Sequence, residues 1–161
     1  MASPAQIGEV GIEAGHHADL DGVVAIMNAA FDPQFGEAWT RSQCAGILPM
    51  SGVTLLVARA HELGEPLGFA LFRIIAQEAE LLLLGVAPAS GRRGIGRRLL
   101  DEFVERARRG GARRVHLEVR DGNPAISMYH TAGFTAAGRR RNYYRGPSGD
   151  QFDALTLSQN I

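Results

Sequence analysis

One stretch limits the possible folds of this chain more than any other. Residues 80–86 are apolar nearly throughout, as in a strand buried on both faces. A turn rich in glycine follows, Ala87-Pro88-Ala89-Ser90-Gly91-Arg92-Arg93-Gly94-Ile95-Gly96. Beyond it Ile95, Leu99, Leu100, Phe103, Val104 and Ala107 recur at helical spacing, predicting a helix over residues 94–109 that Gly110-Gly111 ends. A buried strand that turns sharply into an amphipathic helix needs a sheet with a helix packed on it, which excludes all-α and all-β folds.

The remaining punctuation extends that picture. Residues 7–13 suit a short first strand. Leu20, Val23, Val24, Met27 and Phe31 predict a helix over 19–31, with Asp19 as its cap and Asp32-Pro33 as its stop. Residues 40–48 read as a second, weaker helix capped by Thr40. Residues 53–59 and 67–75 read as strands joined through Gly64-Glu65-Pro66 in a hairpin. Residues 114–119 alternate as a strand. Asn123-Pro124 then opens a short helix through Ala132, with Asn as cap and Pro in the first turn. Residues 135–144 and 154–157 are the last strands. The order is strand, two helices, three strands, helix, strand, helix, two strands: a single α/β domain over residues 1–161 with a mixed sheet.

Length and composition agree with one domain. The chain has 161 residues, 45% hydrophobic and 21% charged, which fits an ordinary globular core. No apolar run approaches the roughly 20 residues of a bilayer span. The N-terminus lacks the basic and apolar regions of a signal peptide. Cys44 is the single cysteine, so no internal disulfide can form, and it reads as a small buried apolar residue. These features predict a cytoplasmic protein with no membrane association. The histidines are scattered and suggest no metal site.

The net charge is zero but unevenly spread. Residues 1–80 hold three Arg against ten acids, and residues 81–161 hold fourteen Arg against seven. There is no lysine. A basic half suits an anionic ligand, and a solvated helix face explains it as well.

The glycine-rich turn has two readings. A helix start offers about four unpaired N–H groups and the positive end of the dipole, which suit phosphate. Gly94 and Gly96 remove side chains where a ligand could approach, and Arg92, Arg93 and Arg97 add charge. The other reading is a turn whose glycines serve only its sharpness. A P-loop is excluded because no Lys follows the glycine, and the dinucleotide fingerprint fails in spacing and in its place mid-chain.

At this turn the sequence resembles the GNAT acetyltransferase superfamily, whose acyl-CoA motif is Gln/Arg-x-x-Gly-x-Gly/Ala. Here it reads Gly91-Arg92-Arg93-Gly94-Ile95-Gly96, with Gly91 departing from the pattern. The C-terminal half agrees: Leu117-Glu118-Val119-Arg120, then Asn123, Met128-Tyr129 and Gly133-Phe134. A narrower likeness is to the bacterial ribosomal-protein-alanine N-acetyltransferases, the RimI type, carried by Arg140-Arg141-Asn142-Tyr143-Tyr144 and Gly149-Asp150-Gln151-Phe152-Asp153-Ala154. It extends over about residues 78–157. Before that only Trp39-Thr40 matches. The interval from Glu118 to Tyr129 is one residue shorter than usual, which loosens the correspondence of Asn123.

The resemblance implies a GNAT fold, with a mostly antiparallel sheet of about six to seven strands and about four helices. It implies acetyl-CoA as co-substrate and transfer of acetyl to the N-terminal alanine amine of a small-subunit ribosomal protein. Glu118 would be the general base and Tyr129 the acid. Backbone groups of Leu84, Gly85 and Val86 would bind the pantetheine arm, and Arg92, Arg93, Gly94, Ile95, Gly96 and Arg97 the phosphates, with Asn123 a further contact. No metal and no direct nucleic-acid binding are expected. Acetylation of a small amine such as an antibiotic or polyamine, a non-catalytic CoA sensor and an RNA-binding module are the alternatives. Asp32 and Glu37 lie near Trp39, where a cationic acceptor would be drawn.

Overall fold

The computed structural model describes residues 10–61, 64–91 and 93–161. Its elements in order are β1 (Gly11–Ala14), α1 (Leu20–Ala30), α2 (Arg41–Ile47), β2 (Val53–Arg59), β3 (Gly68–Ile75), β4 (Glu78–Val86), α3 (Ile95–Arg109), β5 (Arg114–Arg120), α4 (Ile126–Thr131), β6 (Thr135–Arg145) and β7 (Gln151–Asn160). The seven strands form one sheet in the order β1-β2-β3-β4-β5-β7-β6. Every neighbouring pair is antiparallel except β4 and β5, which run parallel and are joined by α3. The mostly antiparallel seven-stranded sheet with four helices is the architecture expected from the sequence.

The sheet buries two cores. On one face Leu99, Leu100, Phe103 and Ala107 of α3 pack on Leu56, Phe72, Leu81, Val115 and Leu117. On the other, Leu20, Val23, Ile26 and Met27 of α1 pack with Cys44 on Leu55, Val57, Phe69 and Leu83. Leu81 and Leu83 thus face opposite cores. A strand alternates faces with period two, so two residues of one strand two apart should share a face. The reason they do not is a β-bulge: Phe72 pairs with Leu81 and Leu71 with Leu83, which leaves Leu82 extra.

That bulge accounts for the long apolar run. Residues on both sides of β4 serve a core, but in succession. Ala79, Leu81 and Leu83 are buried, whereas Leu82 and Leu84 are only half-buried. The expectation of burial on both faces fails at these two because β5 has moved away from them. The parallel pairing stops at Leu81 and Leu117, while β4 continues to Val86 and β5 to Arg120.

Other boundaries moved little. The described part of the first strand is Gly11–Ala14; residues 7–9 of its expected span lie outside the described residues. Thr40 caps α2 through a reciprocal box with Gln43. Asp19 precedes α1 but its side chain caps nothing there. Its carboxylate instead meets Arg59 at 2.7 Å, tying the start of α1 to β2. Asn123 Oδ1 accepts from Ala125 N–H at 2.8 Å, so Asn123 stabilises the turn before α4, which begins only at Ile126. Cys44 is buried and burial pushes its thiol up. The arginines of the last turn of α3 pair with Glu102 and Glu105. Among the described residues no helix is long and apolar enough to cross a membrane.

Candidate active site

Where β4 and β5 part, a cavity of about 630 Å³ opens between them. Leu82 and Leu84 line it from β4, Glu118 and Arg120 from β5, and Asn123 and Tyr129 from α4 and the turn before it. Asp32, Phe35, Glu37 and Trp39 close it from the α1–α2 connection, and Tyr143 and Tyr144 from β6.

The parting also frees backbone. Ala87 N–H donates to Leu67 O at 2.8 Å, toward β3. Alternation along the strand turns the N–H and C=O of Leu84 and Val86 the other way, into the gap. Gly85 sits between them opposite Phe69. A Cβ there would stand 2.7 Å from the Phe69 ring, so this glycine makes room for an aromatic of the core.

Past β4, the chain reaches α3 through Gly94, whose φ of 74° is left-handed. The first bond of the helix is Arg98 N–H to Gly94 O. Among the described residues, Ile95, Gly96 and Arg97 therefore keep free amides, and no side chain caps them. No acid lies in the first turn. A Cβ on Gly94 would meet nothing within 4 Å, and one on Gly96 would touch Val86 and Met128 at 3.5 and 3.6 Å. Gly96 thus places the helix start against the end of β4 and against α4. Arg97 is held by Asp101 at 2.9 Å, and Arg93 is exposed. Arg92 lies outside the described residues.

Glu118 sits in the cavity wall with its side chain only 7% exposed. Both of its carboxylate oxygens are engaged. Oε1 accepts from Arg140 Nε at 2.9 Å and Oε2 from the Thr156 hydroxyl at 2.6 Å. Tyr144 donates its hydroxyl to the main-chain oxygen of Glu118 at 3.3 Å. Tyr129 is buried in α4 against Phe134. Burial, helped by the charge of Glu37, pushes its phenol far above the ordinary range, so it stays protonated at any physiological pH.

A second, half-buried carboxylate lines the same cavity. Glu37 Oε1 accepts from Arg120 Nε at 3.0 Å and from Asn123 Nδ2 at 3.3 Å. The Arg120 guanidinium lies 3.6 Å over the Phe35 ring. Phe35 in turn meets Phe152 edge-on at 5.0 Å. These contacts pin the 31–39 segment to β5, to the turn before α4 and to β7. Two glycines permit the approach. A Cβ on Gly36, whose φ is 67°, would stand 1.9 Å from Arg145 O, and one on Gly146 would stand 2.0 Å from Gln34 O. Gly36→Ala is expected to cost about 2–4 kcal/mol through left-handed strain and overpacking. That is a melting temperature lower by about 5–15 °C, readable by circular dichroism.

The model of the acetyltransferase (GNAT) family matches residues 20–134, more than half of the chain. The chain belongs to the GNAT acetyltransferase family. It is 35% identical over 99 residues to a ribosomal protein bS18-alanine N-acetyltransferase of Escherichia coli strain K12, covering 61% of this chain and 66% of the relative, just under two thirds of its length. It is 31% identical over 132 residues to the protein of the same name from Haemophilus influenzae, covering 77% of this chain and 90% of the relative. The crystal structure of the ribosomal-protein-S18-alanine N-acetyltransferase from Escherichia coli superposes with a TM-score of 0.82 at 28% identity, covering 95% of this chain and 94% of that one.

The GNAT fold brings Glu118, Tyr129, Leu84 and Asn123 of the sequence-predicted residues around one cavity. Gly94, Ile95, Gly96 and Arg97 stand outside its lining, at the start of α3 beyond Val86. Sequence reasoning missed three participants. Arg120 appeared only as the end of a motif, Glu37 only as a charge near Trp39, and Thr156 not at all. Their contacts are long-range in sequence, spanning 83 residues for Arg120 with Glu37 and 38 for Thr156 with Glu118. For Glu37 the one local hint was an acid beside an aromatic in an otherwise polar connection.

Proposed function

We propose that this chain is an acetyl-CoA-dependent N-acetyltransferase that acetylates the N-terminal alanine amine of a small-subunit ribosomal protein. The observation that carries the reading is the placement of Glu118 and Tyr129 on one cavity at the point where β4 and β5 part. The names of the Escherichia coli and Haemophilus influenzae relatives support the acceptor.

The residues present fit acetyl-CoA. The free amides of Ile95, Gly96 and Arg97, with Arg93 beside them, would hold the phosphates. The backbone of Leu84 and Val86 would pair with the pantetheine arm as a further strand would. When bound, acetyl-CoA supplies an activated acyl group on a thioester. Glu118 takes the proton from the acceptor's ammonium, directly or through water, because an α-amine of reference pKa about 7.7–8.0 is mostly protonated at neutral pH. Tyr129, which lines the same cavity, would be the donor toward the departing sulfur. Its raised pKa makes complete proton loss to a thiolate, whose conjugate acid is near 8.5, uphill. The phenol therefore serves first as a hydrogen-bond donor that steadies developing negative charge.

The acceptor side is acidic. Asp32, Glu37, Glu80 and Glu118 line the cavity, against Arg120. Arg120 neutralises Glu37 and Arg140 neutralises Glu118, and Asp32 and Glu80 leave the mouth net negative. An Ala-initiated peptide rich in basic residues is expected to become acetylated on its α-amine, as read by mass spectrometry against a panel of peptides and small amines. Its kcat/KM is expected to fall several-fold between low and physiological salt, where the screening length is about 8 Å, while a neutral peptide changes little. Equal salt slopes, or preference for a small amine over both peptides, would leave a GNAT acetyltransferase with a different acceptor.

A further inference from the structure

Glu118 is a carboxylate with two differently held oxygens. Thr156 stands directly opposite it in the β5–β7 register. The Thr156 hydroxyl has one proton to give and gives it to Oε2 at 2.6 Å, within the short range of hydrogen bonds to a charged oxygen. A β-branched side chain in a paired strand has little rotamer freedom, so this donor is built into the sheet. Arg140 holds Oε1 differently. Its side chain is 62% exposed, long and anchored to Glu118 through Nε. Ion pairs of so exposed a cation are weak and easily exchanged. Glu118, at 7% exposure, cannot comfortably lose its partner without a replacement.

We infer that the two oxygens have separate tasks, with Thr156 a fixed anchor of Oε2 and Arg140 an exchangeable placeholder on Oε1 for the acceptor's ammonium group. This rests on the reading of Glu118 as the base. The exchange is cation for cation, so the buried carboxylate stays paired as the substrate enters. Guanidinium does not give up its proton in the physiological range, so Arg140 satisfies the base without protonating it. With Oε2 fixed, Oε1 points at the position Arg140 vacates, and the proton is transferred there. The other groups facing this carboxylate are Glu80 of β4, Glu37 of the α1–α2 connection, Tyr129 of α4, and Tyr143 and Tyr144 of β6. None of these donates to Oε1 or Oε2 among the described residues. Thr156 is thus a positioning residue that acts through Glu118.

The test is a double-mutant cycle in the full-length enzyme, with acetyl-CoA and the Ala-initiated peptide. Thr156→Val keeps the shape and removes the donor. It is expected to lower kcat about tenfold with the acceptor KM nearly unchanged. It should also move the acid limb of kcat/KM to higher pH, since a donor lost from a carboxylate makes its charged form less stable. Thr156→Ser restores both. In a Glu118→Gln background Thr156→Val has no further effect. Arg140→Ala is expected to lower the acceptor KM several-fold, with the melting temperature read beside it because Glu118 loses one of its two partners. Full kcat and an unmoved acid limb in Thr156→Val, equal losses in both backgrounds, or a raised KM in Arg140→Ala would each overturn the division of tasks alone. A fully active Glu118→Gln enzyme would overturn the base assignment and the division together.

Discussion

Glu118→Gln is expected to lower kcat/KM by about 10²–10⁴-fold at pH 7, the usual contribution of a positioned base. The loss should shrink above about pH 9. There the acceptor's α-amine, of reference pKa about 7.7–8.0, is already neutral and needs no base. Binding of acetyl-CoA should be nearly unaffected, because Glu118 lies on the β5 side of the gap and the free amides of α3 on the other side of Val86. Gln preserves size, its Oε1 can still accept from Arg140 and its Nε2 can donate to the Thr156 hydroxyl oxygen, so a folding defect is not the expected cause. The measurement is a pH profile of initial rates with one Ala-initiated peptide, variant beside parent. A constant ratio across pH 6.5–9.5 would mean that Glu118 acts by binding and not as a base.

Gly94→Asp is expected to abolish stabilisation by acetyl-CoA while leaving the free protein folded. The structure makes this substitution unusually informative. Asp is among the residues that tolerate a left-handed φ, and the space beyond Gly94 is open. An Asp at the N-cap of α3 would accept from the free amides and oppose the dipole favourably. The apo protein should therefore melt at nearly the same temperature or slightly higher. The same carboxylate would occupy and repel the position of the phosphates. A parent saturated at about 100 times Kd gains about 2.7 kcal/mol, which is a rise of about 5–10 °C in melting temperature for a domain of this size. The variant should gain none. Gly94→Asn, neutral and of equal size, should recover part of the rise if charge repulsion dominates over steric blocking. Retention of the full rise in Gly94→Asp would remove the start of α3 from the binding site.

The two experiments address opposite ends of the gap, and legibility in the sequence differed in the same way. The start of α3 was readable because a helix terminus is local: Gly94, Gly96 and the apolar stripe of Ile95, Leu99, Leu100 and Phe103 lie within ten residues, and their conformation follows from nearest-neighbour geometry. Glu118 and Tyr129 were pointed out by family resemblance, and their types and spacing alone did not require that they meet. The Thr40 cap of α2 was local and formed as expected, with Gln43 completing a reciprocal box that the sequence reading had not named. Asp19 fitted the same local pattern, yet its carboxylate caps nothing in α1: one oxygen accepts from His16 N–H in the preceding turn at 2.8 Å and the other meets Arg59 of β2 at 2.7 Å, a partner that local spacing does not reveal.

The parting of β4 and β5, which makes the cavity, has no local signature. It follows from a bulge at Leu82 and from pairing that stops at Leu81 and Leu117, and both depend on what the neighbouring strands pair with. The apolar run 80–86 suggested a uniformly buried strand because a period-two pattern cannot report that the faces exchange midway. In the same way, the residues that complete the site come from register. Thr156 reaches Glu118 because β7 pairs antiparallel with β5 at that position, and Arg140 reaches it because β6 continues the sheet before its own bulge at residues 140–144. Patterns of hydrophobicity, caps and turns thus specified the order and type of the elements, since those depend on interactions within one or two turns of chain. The shape of the cavity, the pairing of Glu37 with Arg120 and the two partners of Glu118 were decided by tertiary structure alone, because a sheet joins distant strands in a register that no single strand encodes.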